Sequence, residues 1–234
     1  MTTPANVRLP HYQTFSESGL LSQNLNLDRH SLAQRIGVTQ GGLVYCYVVA
    51  TVEYAGGQLM QSGSGPNFQG GLITLCTCKG QMRAGKDMGA WIGTWIAGIT
   101  GAPAGRQAEG FLFYLMRVAR AFASHRDLWD WLSAHAPDAA KAKVADQNQL
   151  GDVYRPRDPC VDPYSPYAYF PPCPLHVHSG TAWHEDIDYY AYRRRPALLV
   201  GDPHESFLWS KPSVRVPFPV GRGCKIVDLN RLLT

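Results

Sequence analysis

Apolar positions along this chain recur mostly with a period of two, the spacing a pleated strand requires. The clearest case runs from residue 70 to residue 98. Leu72, Thr74, Cys76 and Cys78 alternate with Ile73, Leu75, Thr77 and Lys79, and Trp91, Ile92, Trp95 and Ile96 form a second apolar run. Between them lies a loop, 80–89, that carries Arg83 and Lys86 among glycines, so the stretch reads as strand, charged loop, strand. Upstream, 43–52 is β-branched and aromatic throughout, with apolar residues on both faces, as in a central strand.

Helical signals are fewer. Residues 27–36 predict a short helix ended by Gly37. Ser124 stands as N-cap with Asp127 at the capping-box position, and Leu128, Trp131 and Leu132 share one apolar face, so a helix is predicted from residue 125. Pro137 to Gln147 predicts another. The run from Phe111 to Phe122 is compatible with a strand or a buried helix, and periodicity does not separate them. Glycines at 56, 57, 63 and 65 predict a flexible connection. Residues 196–202 and 206–210 read as two short strands around a turn, and the tail from Val214 as an edge.

Composition narrows the class. The 234 residues suit one large domain, and 45% apolar residues can build a core. A net charge of +4 tolerates nucleotides or nucleic acid without requiring them. No run approaches the roughly 20 apolar residues of a membrane helix, so no membrane association is expected. The opening six residues lack a basic start and an apolar stretch. Six cysteines in such a context read as free thiols of a cytoplasmic protein.

Several residue groups carry candidate chemistry. Cys160, Cys173, His176 and His178 are zinc-ligand types, but no second Cys-x-x-Cys pair exists and prolines flank Cys173. No metal and no cofactor is therefore expected. Cys76 and Cys78 read as small filler on one strand face. His176, His178 and His184 crowd Glu185, Asp186 and Asp188, the pairing of imidazole and carboxylate that proton transfer uses and that a solvated loop also shows. Three tyrosines beside Arg193 to Arg195 suit base stacking and phosphate pairing, or an exposed basic turn. The glycine loop before residue 70 lacks the Gly-Lys-Ser/Thr ending of a P-loop, and nucleophile-elbow, zincin, dinucleotide and kinase motifs are absent.

The order of short motifs adds a resemblance. Tyr45 to Ala50, Leu75 to Lys79, Gly89 to Gly93, Phe113 to Val118, Gly151 to Arg155, His178-Ser179, Leu198 to Asp202 and Phe207 to Ser210 together resemble nucleotide-modification-associated domain proteins of the second type. The same order is similar to the PUA, ASCH and EVE group of small barrels. The chain departs from the pattern in its longer Gly/Ser loop before Gly70, its Pro/Tyr segment at 159–174 and Ala90 in place of Asp.

The resemblance implies an α+β fold, a mixed, strongly bent sheet or partly closed PUA-like β-barrel with peripheral helices. It would occupy residues 42–212, between an N-terminal extension (1–41) and a C-terminal tail (213–234). The expected function is binding of a nucleotide or a nucleic acid, with recognition or processing of a modified base. Partners would be a nucleotide or DNA containing such a base, and a homo-oligomer is compatible. Trp91, Trp95 and Tyr154 would stack the base, while Lys79, Arg83 and Arg155 would neutralise phosphate. Cys78 and Ser179 would complete the wall, and Asp152 would accept from a base edge. An alternative is an enzyme of base modification with His178 and Asp152 as its proton-transfer pair and His176 assisting. A third is a protein-interaction module using the Pro/Tyr segment.

Overall fold

The computed structural model describes residues 22–37, 41–63, 65–101, 110–145, 152–159, 162–172, 181–188, 194–221 and 223–234. In chain order these contain α1 (Arg29–Ile36), β1 (Leu43–Val49), β2 (Val52–Ala55), β3 (Gln58–Gln61), β4 (Thr74–Leu75), α2 (Gly80–Arg83), β5 (Trp95–Thr100) and β6 (Leu112–Phe122). There follow α3 (His125–His135), α4 (Pro137–Lys143), α5 (Glu185–Asp188), β7 (Leu198–Leu208), β8 (Cys224–Asp228) and α6 (Leu229–Leu233).

Six strands form one mixed sheet in the order β4-β7-β6-β5-β1-β8, and β2 and β3 form a separate hairpin. Within the sheet β1 runs parallel to β5 and the other neighbours are antiparallel. The α+β class and the mixed sheet agree with expectation. The partly closed barrel does not. Closure would require β4 to meet β8, yet these stand at opposite edges of an open sheet. Thr74 of β4 instead bridges to Asn67, so that edge has its partner inside the same chain.

Alternation sorts the side chains. Leu198 and Val200 enter a small core with Leu72, Leu128, Leu132 and Ala139, beneath α3 and α4. Leu199 between them enters the main core, which also takes Leu32 and Ile36 of α1 and Leu229 and Leu232 of α6. Residues 22–37 are therefore built into the body of the protein. Asn24 donates to the carbonyls of His204 and Ser206, and Asn26 Oδ1 accepts from the Ser210 and Lys211 amides.

Local expectations fared unevenly. α3 starts as its cap signal requires, with Ser124 Oγ accepting from Asp127 N. Asp28 caps α1, which Gly37 ends at φ 79°. The run 111–122 is a strand. The region 70–98 is less extended than its alternation suggests: pairing stops after Leu75, and Lys79 turns left-handed (φ 57°) to launch α2. Trp91 lies in a 3-10 turn (Met88–Trp91), so the following strand begins only at Trp95. Gly56 and Gly57, with φ of 59° and 81°, are the tight turn of the β2–β3 hairpin. β7 is continuous across both predicted short strands, with register shifts against β6.

Candidate functional site

Among the described residues, a groove of about 890 Å³ lies between the β6–β7 ladder and the α3–α4 pair. The fold makes it directly. Ala119, Arg120, Val200 and Gly201 form the floor, Trp131 and His135 one wall, and Gly70, Gly71 and Ala139 another. Gly70 is required there: at φ 74° it approaches the helix so closely that a Cβ would lie 2.4 Å from Ala139 Cα.

The groove's polar groups are sparse and distinct. His135 stacks on Trp131 with ring centroids 5.4 Å apart and planes 13° from parallel. Its Nδ1 is 3.0 Å from the Trp131 carbonyl. A carbonyl only accepts, so Nδ1 carries the proton, and in the neutral ring Nε2 remains an acceptor. Arg120 and Asp138 are exposed at the groove. Asp202 holds its own turn, accepting from the His204 and Glu205 amides through Oδ1.

Beneath the Gly70–Leu72 wall lies a fully buried polar network. Lys143, in the last turn of α4, donates to the carbonyls of Leu72 (2.6 Å) and Asn67 (2.7 Å). Thr74 Oγ1 donates to the Asp152 carboxylate, 3.0 Å from Oδ2. Burial pushes the Asp152 carboxyl up to about 6 and the Lys143 ammonium down to about 8, each shift being partly offset by the other group's charge. Burial also raises the adjacent Cys76 thiol, and the Asp152 charge raises it further.

Asp152, expected to read a base edge or transfer a proton, is thus internal. Tyr154 is internal too. Its hydroxyl donates to Asp186 (2.8 Å) and its ring stacks against Trp183 at 5.4 Å. The His125 ring meets the Tyr154 ring edge-on at 4.8 Å, and neither nitrogen of His125 has a hydrogen-bond partner among the described residues. Burial lowers the His125 pKa to about 3.

The remaining expected residues are spread around the sheet. Arg83 is buried and spends its guanidinium on the carbonyls of Cys78, Thr77 and Ala197. Trp91 is buried and donates to the Arg83 carbonyl, and buried Trp95 stacks on Phe207. Half-buried Lys79 lies over the Tyr47 ring at 5.2 Å, beside half-buried Cys78. Exposed Arg155 covers Phe170 at 4.3 Å, and Arg157 lies 4.5 Å from the same ring. His176, His178, Ser179, Cys160 and Cys173 lie outside the described residues. Among the described residues no group of His, Cys, Asp and Glu could hold a metal ion, and no helix is long and apolar enough to cross a membrane.

The structure therefore brings Asp152 and the Gly70–Leu72 wall together, but it does not gather Lys79, Arg83, Trp91, Trp95 and Tyr154 around one opening. Sequence reasoning missed Arg120, His135 and Asp202. His135 sits four residues after Trp131 on a helix whose start was legible, so that pair was within reach. Arg120 and Asp202 become neighbours of the pair only through strand pairing. No family model, no curated protein and no solved structure matches the chain.

Proposed function

We propose that this protein binds a nucleotide, or a nucleic acid carrying a modified base, in the groove between β6–β7 and α3–α4. The observation that carries the reading is the groove's combination of size, ring surface and charge. Its 890 Å³ falls within the range of about 300–1,000 Å³ usual for small-ligand sites. The exposed imidazole of His135, backed by Trp131, offers a planar surface for a base. Arg120 supplies a cation for phosphate, while Asp202 and His135 Nε2 supply acceptors for base N–H groups. The motif order resembling nucleotide-modification-associated proteins supports a modified base as the ligand. Binding without chemistry is the simpler form of the proposal, because Asp152 is shut away from the groove.

The test is titration with nucleotides and short single strands bearing ordinary and modified bases, alongside mass spectrometry of small molecules that copurify. His135→Ala is expected to weaken binding roughly 5- to 150-fold, the loss of about 1–3 kcal/mol typical of one base–aromatic stack. Arg120→Ala should weaken nucleotides and leave free bases unaffected. Absence of any binding, or binding indifferent to both substitutions, would overturn the reading.

A further inference from the structure

The two edges of the sheet are finished differently. β4 is two buried residues long, and Asn67 occupies its outer side. β8 is five residues long and pairs only with β1 among the described residues. Natural sheets usually blunt such an edge with charges, proline or a covering segment. Here the centre of the edge is Ile226, 51% exposed.

The hydrogen-bond phase of β8 follows from its neighbour. Leu229 N donates to Gly42 O, and alternate pairs of an antiparallel ladder share their bonds. Val227 and Lys225 therefore bond to Val44 and Cys46, while Cys224 and Ile226 direct their N–H and C=O groups outward and Asp228 directs only its N–H, its C=O being taken into α6 as the N-cap carbonyl.

The side chains around that edge mix apolar surface with charge, the Lys86 ammonium lying over the Tyr45 and Trp91 rings. Ile226 stands opposite Tyr45, whose ring meets Trp91 edge-on at 5.0 Å. Leu43, two residues before Tyr45 on the same face, is 58% exposed. Met88 and Ile92, at the two ends of the turn that carries Trp91, are 44% and 56% exposed. Among the described residues, Ile226 and Leu43 are thus two exposed large apolar side chains flanking the β1–β8 pair on one face.

We propose that β8 pairs with β8 of a second copy of this chain, antiparallel about a two-fold axis through Ile226, joining two six-stranded sheets into one. Three features fit a copy better than an unrelated strand. The register in which Ile226 meets itself uses the N–H and C=O of both Ile226 residues and pairs each Asp228 N–H with the Cys224 C=O of the other copy. It places the two Ile226 side chains together on the apolar face. It also sets Asp228 of each copy opposite Cys224 of the other. Tyr47 is the β1 partner of Cys224, and the Lys79 ammonium lies over the Tyr47 ring. Each Asp228 carboxylate is therefore brought towards a cation of the other copy, twice by symmetry.

The experiment is sedimentation velocity of the full chain over a wide concentration range, paired with circular dichroism and thermal melting. A closed dimer is expected. Ile226→Lys sets two ammonium groups across the axis, with Cα atoms about 5.5 Å apart, and should raise the dissociation constant at least about tenfold. Its far-UV circular dichroism should match the parent's, since Ile226 is half exposed, while its melting temperature should lose the concentration dependence that dimerisation gives the parent. Asp228→Asn keeps a capping side chain on α6 but removes the charge; it should weaken the dimer about threefold and flatten its salt dependence. Ile226→Cys should crosslink into covalent dimers under oxidation. A wild-type monomer at every concentration overturns the proposal. So does an open-ended assembly, or a dimer indifferent to both Ile226→Lys and Asp228→Asn.

Discussion

The α3–α4 pair has a buried polar group at each end, and the two are handled in opposite ways. At the end of α4, Lys143 meets two backbone carbonyls and the charge of Asp152, which in turn accepts from Thr74. At the start of α3, His125 is equally buried but has aromatic edges around it and no hydrogen-bond partner among the described residues. The first solution keeps charges inside by saturating them. The second keeps a titratable ring inside by keeping it neutral. The difference teaches where this fold is brittle: a saturated network fails when one member is removed, whereas a neutral ring costs little until protons are abundant.

The largest expected effect is Asp152→Ala. It strands the Lys143 ammonium in the core, and chemical denaturation should show a loss of about 3–5 kcal/mol. Adding Lys143→Met to that variant removes the stranded charge and should recover part of the loss. A double variant as unstable as the single one would show that the two groups are not coupled.

Thr74→Val is a milder cut through the same network. It leaves both charges but takes one hydroxyl from the carboxylate, so a loss of about 1–2 kcal/mol is expected in the same unfolding assay. No loss would mean that the hydroxyl is not a working member of the network.

The smallest effect at neutral pH belongs to His125→Phe, expected within about 1 kcal/mol of the parent because an apolar ring suits the aromatic surroundings. Its signature lies in the pH dependence. The native imidazole resists protonation down to about 3, while the unfolded one binds a proton below about 6.5. The unfolded state therefore holds more protons across that window, and the parent loses about 1.4 kcal/mol per pH unit as pH falls through it. Urea unfolding at pH 7 and pH 5 should show His125→Phe gaining on the parent by about 2 kcal/mol. Parallel curves would mean that His125 takes up its proton in the folded protein as readily as in the unfolded chain.

Much of the fold was legible where local chemistry decides it. Ser124 and Asp127 marked the start of α3, Gly37 the end of α1, and the β-branched run at 43–52 marked β1, which ends at Val49 and lies beside the edge strand β8. Legibility failed where a backbone angle or a distant partner decides. Alternation continues through Lys79, but pairing with β7 ends after Leu75, and beyond it the Thr77 and Cys78 carbonyls accept from Arg83 in place of a strand neighbour. The site was legible only in fragments. Asp152 reads from the sequence as a base-edge acceptor or proton-transfer group, and nothing local told that Thr74, Asn67 and Lys143 would enclose it. Arg83 and the tryptophans read as ligand-facing because they are cationic and aromatic. In the structure Arg83 bonds backbone carbonyls, and Trp91 and Trp95 fill core volume.

The placement of β1 has a consequence in time. This strand lies one place in from the edge of the sheet; its parallel neighbour β5 follows an intervening hairpin and helix, and its other neighbour, the edge strand β8, comes after β7. Neither pairing can form by a short loop closing on itself. Each must await a distant stretch of chain, and such contacts are slow to find. A chain emerging from the ribosome therefore carries its most apolar strand with both edges open until much later segments have been made. Folding of this protein should be paced by β1, and an interrupted chain should be most adhesive there.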